Sequence, residues 1–409
     1  MRENLRRSSG ILMNQEKRTI MKKSRQLLSI VIVFFWASEY CHVPYFTPYL
    51  KMLGFTMTAI GFMVGVYGFT QMIVRIPLGI YTDVSGSYKR VVVMGTLFTT
   101  VSSLGLIFAQ SMWFVIFCRF LAGIAASTWI AFTVLYSAYY EAEEGVKAMA
   151  NIQAFNNGGK LLAFALGTIT ATFWGYRIPL VMSFLTGLVA IVFALRLKTI
   201  PIRREPMQIS HIVGIFKNPS VLLPSFFAII MQMILHGTVF SFTSTVAEQL
   251  GASAFEIGLN TSLFTVIQVV AAGFVGGKLV KKLGEQKSIL LGFFCLALYS
   301  VLVAIAPNVW VLYLAQIICG LGNLLLFAIL SAMAIRYIPQ ENKSTAMGLF
   351  QALYGIGMTI GPLLLSNLVA AWNYHFAYLV FAMIAAASLI LAAVTLPLLA
   401  HHMEGKKVQ

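Results

Sequence analysis

The sequence predicts an all-α membrane protein whose twelve transmembrane helices form two pseudo-symmetric six-helix bundles. Of its 409 residues, 59% are hydrophobic and 10% are charged, with a mean hydropathy of +0.84, whereas soluble domains carry about 25% charged residues. Apolar runs long enough to cross a bilayer, about 20 residues each, recur along the chain. The second half of the chain also repeats the glycine spacing of the first.

Charged and turn residues bound each apolar run and so predict the helix limits. The first run follows a basic segment, as in a signal peptide, but it continues to Leu50 without a small-residue cleavage site. We therefore expect it to be retained as the first span. The predicted helices are 27–50, 57–80, 91–110, 113–138, 148–173, 178–196, 220–246, 256–280, 288–306, 310–336, 345–370 and 376–400.

The longest polar interruption, rich in proline and basic residues, separates six helices from six and predicts a linker between two half-domains. Each half is expected to form one bundle. The predicted organisation is a basic tail at 1–26, a bundle at 27–196, a linker at 197–219, a bundle at 220–400 and a second tail at 401–409.

The distribution of basic residues predicts the orientation of the chain. The formal net charge is +16, and most of the 29 lysines and arginines lie in the termini, the linker and every second connection. The opposite connections contain Lys51 and Arg177. This positive-inside pattern predicts that the termini, linker and tails are cytoplasmic in a multi-pass cell-membrane protein. The basicity is thereby explained without a nucleic-acid partner.

Short matches at a nearly constant offset indicate a duplicated six-helix unit. Each match falls in the equivalent loop or helix of the two halves, and the offset is 197 or 198 residues. The matched segments are 79–86 with 277–284, LGFT at 53–56 with LGAS at 250–253, and Gly123 with Gly320.

The segment GIYTDVSGSYKR, after the second span, resembles the signature G-x-x-x-D-R-x-G-R-R of the major facilitator superfamily. Val84 replaces the arginine of that signature, and RFLAG at 119–123 resembles the fourth-helix motif R-x-x-Q-G. The resemblance covers the chain beyond residue 26. The residues that fit the signature are Gly79, Asp83, Gly86, Lys89 and Arg90.

This resemblance implies a central cavity surrounded by helices 1, 4, 7 and 10, and two halves that rock about a site near the bilayer midplane. It also implies a cytoplasmic gate in which Asp83 faces a helix end of the opposite half. Arg75, one turn before the signature, is expected to belong to this gate. The general resemblance is to bacterial efflux permeases, although the fifth helix has Ala163-Phe164 where antiporters of the family have Gly-Pro.

Glu39 is the candidate ion-coupling residue. It lies about 18 Å along the first span, near the middle of a hydrocarbon layer about 30 Å thick. A carboxylate there costs on the order of 3 kcal/mol, which favours a functional role. Adding the 197-residue offset gives His236, and His42 lies on the same helical face three positions on. Either histidine could relay a proton or simply bridge neighbouring helices.

The fifth helix has a polar stripe that cannot face lipid. Gln153, Asn156, Asn157 and Lys160 recur at helical spacing, so they line either the cavity or the interface between the halves. Lys160 could neutralise Glu39 or receive an anionic group of a substrate. Arg119 has the same two options, or it could bond backbone carbonyls of neighbouring helices.

Motifs that would indicate an enzyme or a nucleotide-driven pump are absent from the sequence. The GGK tripeptides at 158–160 and 276–278 lack the upstream glycine and the following Ser or Thr of a P-loop. No nucleophile elbow or clustered metal ligands appear, and the four cysteines lie inside apolar runs. No cofactor or metal is expected. A membrane enzyme and a non-transporting sensor remain distant alternatives.

The sequence thus predicts a secondary transporter that moves a small organic molecule by alternating access, is coupled to protons through Glu39 and is expected to be monomeric. Export is the favoured direction. Uptake or exchange of an organic anion or zwitterion is the alternative, because Arg75, Arg119 and Lys160 outnumber Glu39 in the spans.

Overall fold

The computed structural model describes residues 2–141, 144–198, 214–216, 218–339 and 342–405. Within these ranges the fold is all-α, with twelve long helices, α1 to α12. The linker predicted at 197–219 lies largely outside the described residues.

The helices of the N-terminal half run alternately between a side that carries the two termini, the terminal side, and an opposite, far side. Two of them consist of two segments. The helices are α1 (Arg2–Tyr40, then Val43–Met52), α2 (Met57–Ser85), α3 (Tyr88–Phe108), α4 (Met112–Ser127, then Trp129–Ser137), α5 (Gly145–Trp174) and α6 (Ile178–Leu195).

The C-terminal half repeats this arrangement, and two of its helices contain a π-helical segment. They are α7 (Pro219–Gly237, π segment Thr238–Phe242, Thr243–Gln249), α8 (Ala254–Phe274, π segment Val275–Leu279, Val280–Leu283), α9 (Glu285–Ala304), α10 (Val309–Arg336), α11 (Lys343–Ala371) and α12 (Tyr374–Gly405).

Eleven of the twelve helices are long and apolar enough to span a membrane. The exception is α5, whose polar stripe was predicted from the sequence and lowers its hydropathy. The outer helix limits differ from the prediction, because α1 already begins at Arg2 and α12 continues to Gly405. The segments expected to be tails therefore contain helix.

The first helix of each half is interrupted at the same relative position. The first segment of α1 ends at Tyr40, four residues before Pro44, because proline has no N–H to donate and its ring clashes with the carbonyl four residues earlier. In α7 the irregularity is the π segment that begins at Thr238, 197 residues after Cys41. Such segments are frequent at functional sites.

Four exposed tryptophans mark the far side of the molecule. They lie at far-side ends of α4, α5, α10 and α11, and their positions repeat between the halves at offsets of 197 and 198. Tryptophan prefers the membrane–water interface, so this ring indicates where the far-side interface lies. The residues are Trp113, Trp174, Trp310 and Trp372.

The two halves meet along α2 and α11 and along α5 and α8. Glycines allow the helix backbones to approach each other most closely. A Cβ at Gly68 of α2 would lie 2.6 Å from the carbonyl carbon of Met358. Within the C-terminal half, a Cβ at Gly357 would collide with the carbonyl oxygen of Ile229 on α7.

On the far side, polar contacts join the two halves. The Tyr45 hydroxyl donates to the carbonyl oxygen of Ala254 at 2.8 Å. Lys51 pairs with Glu248 at 3.5 Å, and these residues are 197 positions apart. The far side is therefore closed in this conformation.

Candidate functional site

A cavity of about 160 Å³ lies between the two halves; we call it the main cavity. Several of its lining residues lie on the terminal-side portions of their helices. Gln153 is near the start of α5 and Gln351 is near the start of α11. The main cavity is therefore displaced toward the terminal side, opposite the closed far side.

The wall of the main cavity combines aromatic rings with carboxamides. Both halves contribute to it, which is the arrangement that alternating access requires. The aromatic residues are Trp36, Tyr40, Tyr67, Trp129, Phe240, Phe264, Phe327 and Tyr354, and the carboxamides are Gln71, Gln153, Asn156, Asn157, Gln232, Gln268, Asn323 and Gln351.

Arg75 of α2 bridges the halves inside this cavity. Its guanidinium donates to Gln351 Oε1 at 3.0 Å, to the Tyr354 hydroxyl at 3.1 Å and to Gln71 Oε1 at 2.6 Å. The side chain is buried, and all of these acceptors are neutral. These hydrogen bonds of Arg75 lead to α2 and α11 and not to Asp83, and its assignment to the cytoplasmic gate stays a prediction.

Lys160 of α5 also lines the main cavity. Its Nζ lies 5.3 Å from the ring centroid of Trp36 and 4.9 Å from that of Tyr40. These cation–π contacts hold the ammonium group. Asn156 and Asn157 line the same cavity, so the stripe predicted on α5 faces the space between the halves. The structure does not pair Lys160 with Glu39.

Glu39 lines a second, smaller cavity of about 30 Å³, the coupling cavity. It is 4% exposed, and among the acids that the structure describes it alone is buried. Thr99 and Tyr67 approach its carboxylate, while Oε1 has no hydrogen-bond partner. A buried carboxylate oxygen without a partner is unfavourable, and a bound proton would relieve that cost.

Arg119 of α4 lines the coupling cavity and is the charge that acts on Glu39 there. The guanidinium lies over the ring of Tyr67, 4.6 Å from its centroid, and over that of Phe46, at 5.2 Å. Its Nε has no partner. The role in bonding backbone carbonyls that the sequence also allowed finds no counterpart in the described contacts of this residue.

His236 lines both cavities, and with Phe240 and Ser241 it is a residue of the C-terminal half in the cavity of Glu39. Its ring contacts Phe240 with 5.2 Å between centroids, and its Nδ1 has no partner. Glu39 and His236, which the sequence offset relates, both line the coupling cavity, and their joint role in coupling stays a prediction. Tyr40, Tyr67 and Phe240 also belong to both walls and separate the two spaces.

His42 is not brought to Glu39. The interruption of α1 lies between the two residues, and His42 Nδ1 instead hydrogen-bonds the Ser183 hydroxyl of α6 at 3.0 Å. The ring packs against Phe46. The prediction that both side chains share one helical face assumed an unbroken helix, and Pro44 removes that condition.

The gate motif lies at the terminal-side end of α2 and the following turn. Gly86 ends α2 with φ +60°, a left-handed conformation that favours glycine, and Gly79 is buried about two turns earlier. Asp83 accepts a hydrogen bond from the Tyr88 hydroxyl at 2.7 Å, which is a contact within the same half. Lys89 and Arg90 begin α3.

Apart from His236, the cavity residues of the C-terminal half were not identified from the sequence. Gln268, Asn323 and Gln351 each interrupt an apolar span, and this polarity was the available signal. Asn323 Nδ2 donates to Gln268 Oε1 at 3.2 Å across α8 and α10.

Known proteins resemble this chain over most of its length. An uncharacterized MFS-type transporter of Methanocaldococcus jannaschii is 24% identical over 78% of this chain and 84% of its own. The multi-drug resistance efflux pump PmrA of Streptococcus pneumoniae is 23% identical over 81% of this chain and 86% of its own. The crystal structure of the nucleoside transporter NupG superimposes with a TM-score of 0.74 at 15% identity, covering 91% of this chain and 98% of that one.

The family model of the Major Facilitator Superfamily matches residues 28–246 and 225–408. These two matches include both halves of the chain and overlap in α7. Together with the twelve helices and the central cavity between duplicated halves, they show that the chain belongs to the Major Facilitator Superfamily and is a membrane transporter.

Proposed function

We propose that the protein is a secondary active transporter that exports a small organic molecule by alternating access, driven by protons that bind and leave Glu39. The observation that carries the proposal is the pair of adjoining cavities: one holds a buried, incompletely bonded carboxylate, and the other is large enough for part of an organic ligand. Tyr40, Tyr67, His236 and Phe240 belong to both. Through these residues, protonation in one space can change the shape of the other.

Export is supported by the relation to a multi-drug resistance efflux pump. The positive-inside pattern supports cytoplasmic termini in a cell membrane. With that orientation, the main cavity lies toward the cytoplasm and the far side is the closed extracytoplasmic face. Import or exchange of an organic anion is the second candidate. It is favoured because the described wall of the main cavity contains Arg75 and Lys160 and no carboxylate.

Inside-out membrane vesicles test the proposal. With an acidified lumen, addition of a transported compound should collapse the pH gradient reported by an acridine dye, because an exporter exchanges luminal protons for substrate. Aromatic acids, neutral aromatics and aromatic amines form the test set. Vesicles without the protein are the control. A set in which no compound changes the gradient or accumulates would contradict the proposal.

The Lys51–Glu248 pair is expected to stabilise the conformation that is closed on the far side. Both side chains are partly exposed, at 45% and 32%, and such pairs contribute about 0–1 kcal/mol. Lys51→Glu should therefore raise far-side access by up to about fivefold, measured as maleimide labelling of a cysteine introduced at Thr47, which is buried in this conformation. The exchanged pair Lys51→Glu with Glu248→Lys should restore the original rate. Equal labelling in all three proteins would refute the role.

Asp83→Asn is expected to shift the balance between inward- and outward-open states, because it removes the negative charge that is predicted to act across the gate. Tyr88→Phe is the matched control, because it removes the same 2.7 Å hydrogen bond and keeps the charge. Labelling of cysteines on both sides of the membrane measures the balance. A shift of equal size in both variants would assign Asp83 a structural role within its own half.

A further inference from the structure

The main cavity contains two positive charges that no acid of its wall balances. Its described lining includes Arg75 and Lys160 and no aspartate or glutamate. Glu39 does not fill this role, because it faces the coupling cavity, where Arg119 accompanies it. A buried charge without a counterion is costly, so the wall as it stands favours an anionic occupant.

The surroundings of Lys160 leave its ammonium group available. Aromatic faces contact it on the Trp36 and Tyr40 side, and none of its described contacts is a hydrogen bond or an ion pair. The neighbouring wall has further donors without partners. Three donors, Trp36 Nε1, Gln71 Nε2 and Arg75 Nε, are buried and unbonded. The other unbonded atoms of this wall are the acceptor Asn156 Oδ1 and His236 Nδ1, whose role depends on the tautomer. Donors in excess match a ligand rich in acceptors.

The remaining wall indicates the body of the ligand. Eight aromatic side chains from both halves enclose the space, and such rings contact planar apolar groups by stacking or edge-to-face packing. A saturated polyol has no acid group to balance the two positive charges, and a cationic drug would meet two like charges. The wall fits an acid group on a flat, apolar frame.

We propose that the substrate is an aromatic or similarly planar organic carboxylate whose acid group binds Lys160 and whose ring lies among the aromatic residues of the main cavity. The inference rests on the proposed function in taking the main cavity as the substrate site. Arg75 provides the second positive charge from α2, where it is joined to α11. Binding of the anion would therefore engage both halves.

Thermal unfolding of the purified, detergent-solubilised protein tests this with matched acid and amide pairs: benzoate and benzamide, phenylacetate and phenylacetamide, cinnamate and cinnamamide. A ligand of the folded state raises the melting temperature according to its concentration and affinity. We expect the acids to raise it and the amides to have at least tenfold weaker affinity. Amides as effective as the acids, or no acid that binds, would overturn the proposal.

Variants of Lys160 test whether the acid group of the ligand binds this residue. Lys160→Gln should lower the affinity for the acids at least tenfold without changing that for the amides, and Lys160→Arg should keep most of the acid preference. Lys147→Gln, exposed near the start of α5 and outside the cavity, is the charge-matched control. An undiminished acid preference in Lys160→Gln would refute the assignment. The comparison of acids with amides in the wild type stands independently if a variant fails to fold.

Binding of an acid to the protein in detergent needs no ion gradient. The proposed substrate class and the proposed proton-driven transport can therefore fail separately. Acid binding without flux in vesicles would refute proton-driven transport and leave the binding site intact. Flux of neutral or cationic compounds without acid binding would refute the substrate class and leave the proposed function intact.

Discussion

Glu39→Gln is expected to abolish proton-driven accumulation of substrate while exchange down a concentration gradient continues. Glutamine has nearly the same shape as glutamate but cannot release a proton. Because it is neutral, it also avoids the cost of a carboxylate in the membrane interior, on the order of 3 kcal/mol, so the fold should persist. Proteoliposomes with an imposed pH gradient measure accumulation, and the same vesicles without a gradient measure exchange of a compound identified in the flux assay.

Glu144→Gln is the matched control for this experiment. Glu144 is the same residue type at the start of α5, where it is partly exposed and pairs with Lys147 of the same helix. Its neutralisation should leave accumulation close to that of the wild type. Gradient-driven accumulation at wild-type level in Glu39→Gln would remove Glu39 from the coupling mechanism.

Gly357→Ala is expected to destabilise the protein more than any surface substitution. The added methyl group would collide with the carbonyl oxygen of Ile229 and lie 2.8 Å from the Met233 nitrogen. Both are backbone atoms of α7, so no side-chain rotation can make room and the helices must separate. Overpacking of this kind costs about 1–3 kcal/mol, occasionally more. The melting temperature in detergent and the yield of monodisperse protein measure the effect.

Gly158→Ala separates this collision from the general effect of adding a methyl group to a helix. Gly158 lies within α5, and a Cβ there would have no neighbour within 4 Å. Since alanine is the better helix former by about 0.8–1.0 kcal/mol, this variant should melt at the same or a higher temperature. Similar losses in both variants would show that the α7–α11 contact does not limit stability.

Much of the architecture was predictable because it follows from local patterns. Each span is an apolar run of the length that the bilayer imposes, and eleven of the helices satisfy that criterion. The duplication was visible in glycine pairs, since a turn with a left-handed residue such as Gly86 accepts few alternatives. The same offset predicted that Glu39 and His236 face one space, and both line the coupling cavity.

The errors at the site came from interruptions of regular helix and from contacts between distant helices. Helical spacing placed His42 beside Glu39, but Pro44 breaks the helix and Ser183 takes the imidazole. Spacing along α2 associated Arg75 with Asp83, and its hydrogen-bond partners Gln351 and Tyr354 lie more than 270 positions away. No pattern within one helix contains that information.

By itself, the sequence determined that this chain is a twelve-helix membrane protein with a charged, polar interior, because hydrophobic length and the cost of a charge in hydrocarbon act on each segment separately. Only the tertiary structure decided how those charges are divided. It places Glu39 with Arg119 in one cavity and leaves Lys160 with Arg75 in the other, since which charges meet depends on how α2, α4, α5 and α11 pack around α1 and α7.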